Sequence, residues 1–227
     1  MSVLMFDADD TLWENNIYFE RAFDHFVDFL DHSLLTHPQI RDVLNEIELV
    51  NAKIHGYGSL NFGRNLQQAY QHLADRHIHP DDLNHVLSLA EKILEAPLEL
   101  IAGVEETLAE LAPRYELALF TKGHPDEQRM KVERSGLGRF FRHTVIVKEK
   151  NAPAYRSLVA GKQFPVDQTW MIGNSPKSDI NPALESGLGA VLVPHPHTWV
   201  LEHQDLRVPR DARFLEVETF SHLLRHF

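Results

Sequence analysis

Asp7, Asp9 and Asp10 crowd into four positions directly behind the apolar run Val3-Leu4-Met5-Phe6. A buried strand that ends in three carboxylates is costly, because like charges oppose one another's ionisation and burial adds a desolvation penalty. Chains keep such clusters mostly where a metal or a reaction uses them. The bland alternative is a turn or a helix cap, common work for Asp. Other apolar runs also end in polar residues: Thr121 follows 117–120, Lys148 and Lys150 follow 144–147, and Gly173-Asn174-Ser175 follows 169–172. Asp179 lies six residues beyond Gly173. Each is weak alone, since Gly-Asn-Ser marks many turns and a lone Lys is usually solvated. Together they bring carboxylates, a hydroxyl and an ammonium to one sheet edge, a set suited to magnesium and phosphate.

The elements that would hold these residues can be read from periodicity. Residues 3–7 form a short core strand. From 15 to 96 the spacing turns helical, with stripes at Phe19, Phe23, Phe26, Val27 and Leu30; at Ile40, Val43, Leu44, Ile47 and Val50; at Leu66, Ala69, Tyr70 and Leu73; and at Leu83, Val86, Leu87, Ala90, Ile93 and Leu94. Four helices and no strand make a helical unit with its own core. The second half alternates: helix 103–111, strand 117–120, helix 128–135, strand 144–147, helix 154–160, strand 169–172, helix 180–186 and strand 190–193. Short apolar strands separated by helices predict a parallel sheet covered on both faces. The expected fold is α/β, a Rossmann-like parallel sheet core with an inserted all-helical cap. The core takes 1–14 and 97–227, the cap 15–96. The insertion leaves just after the carboxylates, at the C-terminal strand edge where open α/β sheets bind ligands, so a cleft with an acidic floor is expected.

Composition narrows the function. The 227 residues carry a net charge of −11 with histidines neutral, which argues against a nucleic-acid polymer as partner. A locally positive pocket for a small anion stays compatible with that balance. Cysteine is absent, excluding disulfides, thiolate nucleophiles and Cys-based zinc sites. The 15 histidines are scattered, densest at Pro194-His195-Pro196-His197, and read mostly as surface or interdomain residues. No signal peptide and no run of membrane-spanning length is evident, so a cytoplasmic location without a membrane partner is the expectation.

Four segments match a family pattern in order. Phe6-Asp7-Ala8-Asp9-Asp10-Thr11-Leu12 fits an apolar strand followed by Asp-x-Asp-x-Thr. Leu119-Phe120-Thr121 fits a strand ending in Thr or Ser. Lys150-Asn151-Ala152-Pro153 fits a Lys-Pro-x-Pro motif, and Gly173 through Asp179 fits Gly-Asp-x-x-x-x-Asp. Gly103-Val104-Glu105 resembles the segment preceding the second strand. On these residues the chain resembles the haloacid dehalogenase-like hydrolase superfamily, and the helical insertion resembles the small cap of its capped members. Asn174 departs from the pattern, standing where many relatives carry an acid; it supplies oxygen without charge. Lys148 is a second candidate for the motif lysine, with Lys150 favoured by its spacing to Pro153 and Tyr155.

The resemblance implies a magnesium-dependent phosphatase acting on a small phosphorylated metabolite. Asp7 would be the nucleophile that forms an aspartyl-phosphate. Asp9 would protonate the leaving alcohol and then deprotonate the hydrolytic water. Dehalogenases of the superfamily lack an acid at that position, since halide leaves without a proton. Mg2+ would sit among Asp7, the Asp9 backbone carbonyl and Asp179, with Asn174 holding a water. Thr121 and Lys150 would bind the phosphoryl group. Asn15, Tyr57, Lys122 and Gly123 are candidate substrate contacts by placement, as are Gln128 and neighbouring loop residues. A phosphomutase, and a non-catalytic phosphometabolite-binding protein, are the alternatives.

Overall fold

The computed structural model describes residues 2–227. Six strands form one sheet: β1 (Val3–Phe6), β2 (Glu116–Lys122), β3 (His143–Val147), β4 (Thr169–Gly173), β5 (Gly189–Leu192) and β6 (Phe214–Glu216). Their order is β3-β2-β1-β4-β5-β6, and every pairing is parallel. The first strand in sequence is therefore central, with Phe6 opposite Leu119 of β2 and Ile172 of β4. Because all strands run the same way, their C-terminal ends share one edge.

β1 is buried on both faces, which explains its unbroken apolar run. Leu4 and Phe6 point one way and Val3 and Met5 the other, as strand periodicity requires. The first pair joins Leu117, Leu119, Ile172 and Val191 beneath α5 (Val104–Leu111) and the C-terminal residues Phe220 and Leu223. The second joins Ala118, Phe120, Met171 and Ala190 beneath α7 (Ala152–Lys162) and α8 (Asn181–Glu185). The helix between β2 and β3 is α6 (Pro125–Ser135).

The chain divides into two compact units, Met1–Asn16 with Leu98–Phe227, and Ile17–Pro97. The first crossing falls two residues later than the sequence suggests, because the Asn15 and Asn16 amides are tied to the Asp10 carboxylate. The helical unit comprises α1 (Asn16–Leu30), which begins one residue before the crossing, then α2 (His37–His55), α3 (Ser59–Leu73) and α4 (Pro80–Glu95). Its core is built from the expected stripes, among them Phe23, Phe26, Leu30, Ile40, Leu44, Leu66, Tyr70 and Val86. Val50 is the exception: it lies exposed on α2. Close approach of α3 to α4 needs Gly63, where a Cβ would sit 2.7 Å from Leu87 Cδ1 and 2.9 Å from Ala90 Cβ.

Two elements differ from the sequence expectation. β6 was not expected, since three residues are too few to display a pattern. The helix expected over 180–186 is instead a wide π turn, Pro176–Ile180, followed by the short α8. Pro182 is the reason. It has no N–H to donate to the Ser178 carbonyl, so regular i→i−4 bonding cannot run through this point. Ile180 N–H reaches back to Ser175 O at 3.1 Å, and the Ser178 carbonyl accepts the Tyr155 hydroxyl at 2.9 Å. Among the described residues, no helix is long and apolar enough to cross a membrane.

Candidate active site

The C-terminal sheet edge gathers most of the chemistry-bearing residues of the α/β unit. Asp7 leaves β1 with its N–H still bonded to Ile172 O at 2.9 Å, which fixes the carboxylate at the strand mouth. Asp7 Oδ1 accepts from Lys150 Nζ at 2.5 Å and Oδ2 from the Thr11 hydroxyl at 3.2 Å. Lys150, delivered by the turn after β3, also donates to Phe120 O at 3.2 Å and ion-pairs with Asp179. One buried ammonium thus stands between two buried carboxylates. Lys148 is exposed.

Asp179 is fully buried. Its Oδ2 accepts the Ser175 N–H at 2.9 Å. Its position depends on Gly173, because a Cβ there would lie 2.3 Å from Asp179 Oδ2. Asn174 is part of the same set. Its oxygen faces the Thr11 hydroxyl at 3.2 Å and its NH2 donates to Thr198 Oγ1 at 2.8 Å. Thr11 has one proton to share between Asp7 and Asn174.

Electrostatics follow from this packing. Burial, helped by the Asp179 charge, pushes the Asp7 carboxyl up to about 7, with Lys150 pulling the other way. Asp179 is likewise raised by burial against the pull of Lys150. Lys150 is raised, because Asp179 and Asp7 outweigh its own desolvation. Two carboxylates share one ammonium, so the floor is short of positive charge. Asp179 Oδ1 touches that ammonium yet accepts no aligned hydrogen bond. The Asp7 and Asp179 carboxylates with the Asn174 amide oxygen form an all-oxygen donor set, and it fits a hard divalent cation such as Mg2+.

Asp9 points into different surroundings. Trp13 Nε1 donates to its Oδ1 at 2.7 Å and Gln128 Nε2 to its Oδ2 at 2.7 Å. Lys131 Nζ reaches the two oxygens at 2.9 and 3.0 Å and also bonds Asn15 Oδ1 at 2.7 Å. Asp10 takes the capping role. It sits at positive φ, +58°, and accepts the Asn15 and Asn16 N–H groups at 2.9 and 3.0 Å. Burial pushes its carboxyl up to about 7, with the Asn16 amide opposing. His195 is less exposed than the sequence suggests. Its ring lies 3.8 Å from Asp10 Oδ1 and 3.3 Å from Glu14 Oε2. These three residues each offer one ligand atom within 4.8 Å of the others.

The remaining candidates fall as follows. Thr121 is buried at the end of β2, its hydroxyl 3.5 Å from Gln128 Oε1. Gly123 has φ +147° and packs where a Cβ would meet Gln128 Nε2 at 2.8 Å. Lys122 is engaged by Glu202 Oε1 at 2.5 Å and Ser178 Oγ at 2.9 Å. Tyr57 belongs to the helical unit, in the turn between α2 and α3. Sequence reasoning missed Lys131 and Glu202. Lys131 had a weak signal, lying three residues after Gln128 on a helix and hence on the same face. Glu202 had none.

The haloacid dehalogenase-like hydrolase family model matches residues 4–193. No curated protein sequence matches the chain. Solved structures do. A haloacid dehalogenase-like family hydrolase from Xanthomonas campestris is 28% identical with a TM-score of 0.83, over 100% of this chain and 95% of that one. YfnB from Bacillus subtilis, solved bound to magnesium, is 16% identical with a TM-score of 0.70, over 99% and 97% of the two chains. A 2-haloacid dehalogenase from Pseudomonas syringae is 18% identical with a TM-score of 0.65, over 99% and 97%.

Proposed function

Because this chain belongs to the haloacid dehalogenase-like hydrolase family, we propose that it is a magnesium-dependent phosphatase that hydrolyses a small phosphate monoester through an aspartyl-phosphate. The observation that carries this reading is the acid pair on one loop. Asp7 lies on the buried floor with Lys150 and Asp179, and Asp9 follows two residues later on the same loop. A halide leaving group has no use for the second acid; an alcohol leaving group does.

Asp7, Asp179 and the Asp9 backbone carbonyl would hold Mg2+, with the Asn174 amide holding one of its waters. When bound, the ion supplies charge that offsets repulsion between the Asp7 carboxylate and the phosphoryl oxygens. The residues do the rest. Asp7 attacks phosphorus in line, and the ester bond to the leaving oxygen breaks. Asp9 gives that oxygen a proton, then takes one from the water that cleaves the acyl phosphate. Lys150 holds Asp7 and balances charge on the transferring group, and Thr121 with the loop amides binds phosphoryl oxygens. Asn15 and Gly123 would be contacts for the leaving group. The magnesium seen in the Bacillus subtilis relative supports the choice of ion.

The test is a panel of phosphorylated metabolites assayed for inorganic phosphate with Mg2+ and with EDTA. Release should require the metal and disappear in Asp7→Asn. Full hydrolysis in EDTA, or isomerised product without free phosphate, would overturn the reading.

A further inference from the structure

Glu202 lies in the chain's last third, in the short 3-10 turn Val200–Glu202, outside every motif recognised in the sequence. It is nevertheless buried. Its Oε1 accepts from Lys122 Nζ at 2.5 Å and its Oε2 from Ser175 Oγ at 2.7 Å. Lys122 in turn donates to Ser178 Oγ at 2.9 Å. The Glu202–Lys122 pair therefore grips both serines of the turn that runs from Asn174 to Asp179.

The grip reaches the acidic floor through a short path. A serine hydroxyl has one proton. Ser175 spends it on Glu202, which turns its lone pairs toward the Ser178 N–H, accepted at 2.9 Å. That bond caps the π turn. The backbone N–H of the same Ser175 donates to Asp179 Oδ2 at 2.9 Å. Lys177 adds a bond to Leu201 O at 2.7 Å, a second direct tie between the 3-10 turn and the 174–179 turn. The Asp179 and Ile180 N–H groups converge on Ser175 O at 2.9 and 3.1 Å, so Ser175 anchors the turn, and π turns are common at functional sites. The Glu202–Lys122 pair adds a hold from outside it.

We propose that Glu202, paired with Lys122, is a positioning residue that holds the 174–179 turn in the geometry needed for divalent-cation binding by Asp179 and Asn174. This rests on the metal reading above and assigns Lys122 to the turn rather than to the substrate. Groups behind metal ligands commonly change affinity by about 10- to 100-fold when removed.

Mg2+ titration of the metal-stripped protein by calorimetry, with thermal melting of the metal-free protein alongside, tests the proposal. Ser175→Ala leaves the Lys122–Glu202 pair intact and removes both the Ser175 bond to Glu202 and the cap on the Ser178 N–H. Glu202→Gln leaves the Ser178 cap in place and removes the charge that pairs with Lys122. Each should weaken Mg2+ binding about tenfold or more. The double variant should lose less than the product of the two single losses, because both loosen the hold on one turn. Metal-free melting of Ser175→Ala should fall modestly, by the loss of one buried cap. Parent-like Mg2+ affinity in either single variant would overturn the proposal, as would losses that multiply in the double variant. A parent protein that binds no Mg2+ would overturn the metal reading itself, and this inference with it.

Discussion

Asp7 and Asp9 are separated by one alanine and live in opposite surroundings. Asp7 shares a floor with a second buried carboxylate, and one ammonium serves both. Asp9 faces a wall built by α6 and Trp13 that offers only donors. The difference arises from the backbone. Asp7 is the last residue pinned to the sheet, by its N–H to Ile172 O. Beyond it the chain turns, with Thr11 and Leu12 N–H groups bonding back to Ala8 O, and the Asp9 side chain meets α6. Two identical side chains can thus be given different chemistry by a turn of the main chain.

The contrast can be broken most severely at Asp7. Asp7→Asn should lower phosphate release roughly 10⁴-fold or more, since the attacking atom is lost. It should not lower the melting temperature, because one of two repelling buried carboxylates is neutralised. Asp9→Asn should separate substrates: alkyl phosphates should lose about 10²–10⁴-fold in kcat/KM. An aryl phosphate with a good leaving group should lose far less, and equal losses would deny Asp9 its acid role. Lys150→Met should strike stability, costing about 3–5 kcal/mol in urea unfolding, because two buried carboxylates lose their counter-ion. Added Mg2+ should recover part of that loss. Lys131→Met is the mildest change. It should reduce kcat/KM by about tenfold to a hundredfold, the equivalent of one hydrogen bond to a charged group. A loss as large as that of Asp9→Asn would mean that the wall, rather than the carboxylate, limits the reaction.

Much of the floor was legible because strands and motifs are local. The apolar run 3–6 could only be a doubly covered strand, and the residues behind it had to meet the ends of its neighbours. Gly173 and Asp179 were visible as a spacing, although the reason for the glycine, contact with the Asp179 carboxylate, needed coordinates. The wall and the clamp were less legible. Lys131 is one charge among many on a polar helix, and Glu202 sits in a segment with no periodicity. Their partners lie 122 residues away at Asp9 and 80 residues away at Lys122. The π turn was hidden because a helical pattern is satisfied on average even where one proline removes the needed donor.

By itself the amino-acid order determined the strand–helix alternation, the helical insertion with its own core, and which carboxylates would stand at the sheet edge. These follow from periodicity and from the cost of burying charge, both of which act over a few residues. Tertiary structure alone decided which lysine is buried between Asp7 and Asp179, which cation meets Asp9, and what holds the turn carrying Asp179. A charged side chain reveals nothing of its partner until folding removes water from both, and that partner comes from whichever distant segment the sheet order brings beside it.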